Sequence, residues 1–181
     1  MSLPDLGLFI LRLVVGGLIA AHGSQKVLGA WGGPGLRGQM GMMEKMNFWP
    51  APFWGLVSSF SEFLGGLLLI LGLLWPLGPL MLIAPMLMAI VKVHWGKGFW
   101  NSKGGFEFPL TLLTVGVVLG LTGPGLYSLD VVLHFAMPEP ETLIAGLILV
   151  VLGVLLALNS ASLRSLVERR RAERHEPVQR P

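Results

Sequence analysis

GGLLLILGLLWPLGPLMLIAPMLMAI, residues 65–90, contains no charged side chain and shows no polar face at the 3.6-residue period. A buried helix of a soluble protein keeps such a face, so this stretch is read as two membrane-spanning helices meeting at the WPLGP turn. Three further apolar runs lie outward from it, and the full set is 6–27, 53–75, 77–95, 106–122 and 143–158. The first four approach the ~20 residues that a bilayer crossing needs, and the fifth is near the lower limit. Composition agrees: 53% of the 181 residues are hydrophobic and 13% are charged, against about 25% charged in soluble domains. The expected fold class is all-α, a polytopic transmembrane helical bundle in a lipid bilayer.

The chain has no cysteine, which excludes disulfide relays, thiolate metal sites, Cys-ligated iron–sulfur clusters and c-type haem attachment. No metal site is expected. No Lys or Arg precedes the first apolar run and Arg12 interrupts it, so that helix is read as retained rather than cleaved.

Cytoplasmic loops carry the excess of Lys and Arg. With five spans, Lys26, Arg37, Lys45, Lys92, Lys97, Lys103 and the six arginines of the tail all fall on one side. The other side holds Asp5, Asp130, Glu139 and Glu141 without a Lys or Arg. The N-terminus is expected outside and the C-terminus in the cytoplasm. A basic run directly after a span is read as a topology signal near anionic lipid rather than a nucleic-acid site.

Within the spans the ionisable groups stand out. On the first helix Arg12, Gly16, His22, Gly23 and Lys26 share an arc of roughly 120° at 100° per residue, and Gln25 lies off it. On the second, Gly55, Ser58, Ser59, Glu62, Gly65 and Gly66 share a similar arc, the small-residue pattern of close-packed membrane helices. A charge at that depth needs a partner, so the expectation is an Arg12–Glu62 pair or a protonated Glu62. Whether that pair serves packing or proton handling stays open. His22, Lys26, Lys92, His94 and Glu107 are expected to converge in a polar pocket at the cytoplasmic side. Each also has a plainer reading: the lysines can snorkel, and Glu107 can cap a helix N-terminus. Met40, Met42, Met43 and Met46 in the first loop could bind Cu(I). An interfacial segment anchored by Trp31, Trp49 and Trp54 is preferred, lying over the pocket as a lid.

LRLVVGGLIAAHGSQKVLGAWGGPGLRG, SEFLGGLLLILGLL, VHWGKGF, GGFEFPL and GPGLYSLD together resemble the DoxX family of bacterial and archaeal membrane proteins over roughly residues 8–130. The family pattern falls on Arg12, His22, Gln25, Lys26, Gly32, Gly33, Pro34, Gly35, Glu62, Gly65, Gly66, His94, Glu107 and Pro109. The resemblance implies a four-helix membrane core at 1–130. The chain departs from it with an outer segment and a fifth, C-terminal transmembrane helix at 131–160, then a basic, partly disordered cytoplasmic tail at 161–181. It also implies a location in the bacterial or archaeal cytoplasmic (inner) membrane and a link to redox chemistry, since some members are subunits of a thiosulfate:quinone oxidoreductase.

The leading expectation is a redox-associated subunit that interacts with quinone or a similar lipophilic carrier and supports a partner oxidoreductase. Glu62, His22 and Glu107 are its candidate catalytic groups, and His22, Lys26, His94 and Arg12 its candidate cofactor-binding groups. A b-type haem between His22 and His94 is a lesser variant. A small-solute or proton transporter and a non-catalytic membrane scaffold are the alternatives, and homo-oligomerisation is left open.

Overall fold

The computed structural model describes residues 2–175, and among them every regular element is helical. Helix α1 (Leu3–Val27) begins at Ser2, whose hydroxyl accepts from the Asp5 amide, as an N-cap should. A short turn leads to α2 (Gly35–Lys45), followed by α3 (Ala51–Leu71), which has Pro52 in its first turn and ends on Gly72 at φ +59°. Helix α4 (Leu77–Met88) continues through a π-helical stretch, Ala89–His94. Then come α5 (Glu107–Thr122), the single turn α6 (Leu129–Val132), α7 (Glu141–Leu158) and α8 (Ser160–His175).

Helices α1, α3, α4 with its extension, and α7 are long and apolar enough to cross a membrane. Helix α5, the fourth expected span, has 16 residues, about 24 Å at 1.5 Å each, and still runs between the two ends of the bundle. At one end Asp5 accepts from Leu126 N, and Asp130 accepts from Leu74 N and Trp75 N. At the other, Trp49 N donates to Ser160 Oγ, His94 Nδ1 to Gly104 O and Asn101 N to Glu107 Oε2. The chain is a multi-pass membrane protein. The tail is helical through His175; the disorder expected beyond it lies outside the described residues.

Helix α3 is the hub, packing on α1, α2 and α4, while α5 and α7 pack on α4. Adjacent glycines serve different neighbours. A Cβ on Gly66 would fall on the Ala20 backbone of α1, and one on Gly65 would lie 2.6 Å from Met81 Cβ of α4. Gly55 does the same for α2, at 2.9 Å from Met40 Cγ. Without a hydrophobic drive between helices in lipid, such backbone approach is what makes them associate. Val15, Ile19, Leu69, Trp75, Leu82, Met86, Leu112 and Leu119 fill the space between α1, α3, α4 and α5.

Pro85 interrupts α4 and cannot donate to Met81 O, one turn earlier. Ser61 Oγ of α3 donates to that carbonyl at 2.9 Å. A serine from the neighbouring helix thus satisfies the acceptor that the proline frees, the usual way a membrane helix tolerates proline.

Candidate functional site

The expected Arg12–Glu62 pair does not form. Arg12 is fully buried and donates to the carbonyls of Leu69 (3.4 Å) and Tyr127, with its guanidinium 5.8 Å from the Phe9 ring centroid. Gly72 leaves room for it, since a Cβ there would collide with Nη1. Glu62 instead takes Lys26, with Nζ 2.5 Å from Oε1. Its Oε2 is buried and has no hydrogen-bond partner.

The reason is helix register. Gly23 packs on Phe63, Ala20 on Gly66 and Gly16 on Ile70. Continuing this antiparallel register sets Glu62 opposite Ser24, about 18 Å down α1 from Arg12 at 1.5 Å per residue. Lys26 is within a turn of that level and Arg12 is not.

The Lys26–Glu62 pair borders a cavity of about 550 Å³. Helix α2 contributes Gln39, Met42 and Met43 to its wall, α3 Trp54, Val57, Ser58 and Ser61, and α4 Pro85 and Met88. Leu149, Val150, Gly153, Val154 and Ala157 of α7 form its remaining wall. The lining is predominantly apolar, the composition of small-molecule sites. Its polar groups are few: the ion pair, Gln25, Lys92, Ser58, Ser61 and Gln39, whose Nε2 donates to Ser58 Oγ at 3.4 Å while its Oε1 is unpartnered. Gly153 faces open space, since an added Cβ would meet no atom within 4 Å. Met43, Phe48 and Ala157 cluster beside it, and Lys92 Nζ sits 5.5 Å from the Phe48 ring centroid.

The expected polar pocket is therefore only partly assembled. Lys26 and Lys92 reach the large cavity; His22, His94 and Glu107 do not line it. His22 borders a separate void of about 40 Å³, shared with Glu62, Ile19, Met86, Phe108 and Leu112. His94 and Glu107 hold the 98–106 loop, through Gly104 O at 2.6 Å and Asn101 N at 2.9 Å. His22 and His94 border no common cavity of these two, so the arrangement does not fit a haem ligated by both. Among the described residues no group of three or more His, Cys, Asp and Glu side chains is placed to hold a metal ion.

Several lining residues escaped sequence reasoning. Gln39 sits in a segment read only as interfacial, and Ser61 lies off the glycine arc of α3. Its signal was Pro85, which demands a donor from a neighbour. Gln25, unexplained by helical face, packs under the GGPG turn, where a Cβ on Gly33 would come within 2.5 Å of it.

No curated protein and no solved structure gives a significant match to the chain. The DoxX family model matches residues 7–95, from the first helix through the π-helical end of α4. That segment carries Arg12, Lys26, Glu62 and most of the cavity wall, and by this match the chain belongs to the DoxX family.

Proposed function

We propose that the 550 Å³ cavity receives a quinone or similar lipophilic electron carrier, and that the chain serves as a redox-associated subunit beside a partner oxidoreductase. One observation carries this reading: an apolar chamber among membrane helices with an ammonium–carboxylate pair on its wall. A flat, apolar ring needs such walls, a donor for its carbonyl oxygen and an acid for its protons. Reduction of a quinone to a quinol takes two electrons, here from the partner enzyme, and two protons. Lys26 supplies the donor. Glu62 is the residue that takes up and passes a proton, and Lys26 offers its carboxylate a partner at a depth where an unpaired one is costly. Ser58 and Gln39 offer further polar contacts at the α2–α3 wall.

The basic end of the bundle faces the cytoplasm in this reading, with the N-terminus outside, in the bacterial or archaeal inner membrane. A reporter fused after Arg171 then reads cytoplasmic; a periplasmic signal contradicts the orientation.

Trp54 lines the cavity, so a short-tailed quinone titrated into the detergent-solubilised protein is expected to quench its fluorescence saturably. Trp54→Phe should remove that component. Quenching that stays linear with quinone, or that survives in Trp54→Phe unchanged, counts against the site.

A further inference from the structure

A lipophilic occupant of the large cavity would displace water from that side of Glu62, so an acid working there needs a second route for protons. That argument rests on the reading above; the geometry does not. The 40 Å³ void on the other side of Glu62 exceeds the ~10–15 Å³ that one water needs and is bounded by His22 and Glu62 as its two ionisable groups. Its remaining lining, Ile19, Met86, Phe108 and Leu112, is apolar.

Both ionisable residues that border the void have unused hydrogen-bonding capacity. Glu62 Oε2 is buried without a partner. His22 Nδ1 is 3.1 Å from Leu18 O; a carbonyl only accepts, so Nδ1 carries the hydrogen and Nε2 is the nitrogen left to exchange a proton. The His22 side chain is exposed, little more than one turn before α1 ends at Val27.

We propose that this void holds a single water that carries protons between His22 and Glu62. The His22 imidazolium gives its Nε2 proton to the water, which passes one of its own to Glu62 Oε2, and His22 recovers a proton from the interface. One proton moves inward and no bond to carbon changes. The other charged groups nearby are Lys26, paired to Oε1, Lys92, which lines the large cavity, and Glu107, held by Asn101.

The test uses the full chain in lipid nanodiscs without quinone, so its outcome does not depend on quinone binding. Time-resolved infrared spectroscopy follows protonation of the Glu62 carboxylate after a downward pH jump, with Glu62→Gln assigning the band. His22→Gln keeps a polar group of similar size that does not take up a proton, and Leu112→Phe fills the void. Both should slow Glu62 protonation roughly a hundredfold or more, the scale of a lost proton-transfer group, while His134→Gln at the opposite end leaves the rate unchanged. Equal rates in wild type, His22→Gln and Leu112→Phe overturn the proposal, as does a Glu62 that never protonates in wild type. His22→Gln, at an exposed position, keeps the test decisive if Leu112→Phe fails to fold.

Discussion

Lys26 Nζ and Glu62 Oε1 lie 2.5 Å apart across the α1–α3 seam, and the only other intramembrane charge on α1 above them, Arg12, is satisfied by backbone carbonyls of Leu69 and Tyr127. Two positive charges on one helix thus have separate tasks. One borders the chamber and the other ties the far end of the bundle to the 123–130 segment.

Removing one member of the inner pair strands the other. Lys26→Met and Glu62→Leu should each destabilise the protein by about 3 kcal/mol, whereas the double substitution should recover much of that loss. Thermal unfolding in detergent reads the coupling. The same cycle between Arg12 and Glu62 should show close to none.

Gly72 has three reasons to be glycine: φ of +59°, the Arg12 guanidinium against its face and Ser128 Cβ, which an added Cβ would meet at 2.6 Å. Gly72→Ala should be strongly destabilising in the wild-type background. In Arg12→Ala the guanidinium collision is gone but Ser128 Cβ still lies 2.6 Å from the added Cβ, so the same substitution should cost less than in the wild type yet more than the left-handed backbone penalty of about 1–2 kcal/mol.

Gly17 and Gly23 sit on one helix, yet a Cβ meets nothing at Gly17 and collides with the Phe63 backbone at Gly23. Gly17→Ala should leave the melting temperature near wild type or raise it slightly, since alanine favours the helix. Gly23→Ala should lower it markedly by forcing α1 and α3 apart. Equal effects would contradict the packing described.

Ser61→Ala leaves Met81 O without its donor, at a cost of about 0.6 kcal/mol, the average for such bonds in membrane proteins. In a Pro85→Ala background the helix regains its own amide donor there, and Ser61→Ala should then be nearly neutral. Denaturation in mixed micelles can resolve the cycle if the proline background itself folds.

These relationships mark where sequence reading stops. The spans were legible because apolar runs of bilayer length have few other solutions, and Glu62 was legible as an acid on a glycine seam. Its partner was not. A 23-residue separation between α1 and α3, counted from Val27 to Ala51, places no limit on vertical offset, and only the interlock of Gly16, Gly23 and Gly66 sets it. Once offset by that register, Lys26 rather than Arg12 meets Glu62. His94 and Glu107 looked like pocket residues because they lie near helix ends on the same side. Their contacts to Gly104 and Asn101 depend on the folded 98–106 loop, which hydropathy does not describe. The cavity was least legible of all, since its α7 wall comes from a span with no polar residue to draw attention to it.

The chamber between α2, α3, α4 and α7 is proposed to hold a lipophilic carrier, and Gly153 is the position from which to fill it. Gly153→Phe should place a ring in open space while leaving Lys26 and Glu62 untouched. Both proteins would be purified from native membranes in mild detergent and their bound lipids quantified by mass spectrometry. Near-stoichiometric quinone is expected with the wild type, and its loss from an equally stable Gly153→Phe. A wild-type protein without quinone, or equal quinone in both, would overturn the assignment of this chamber.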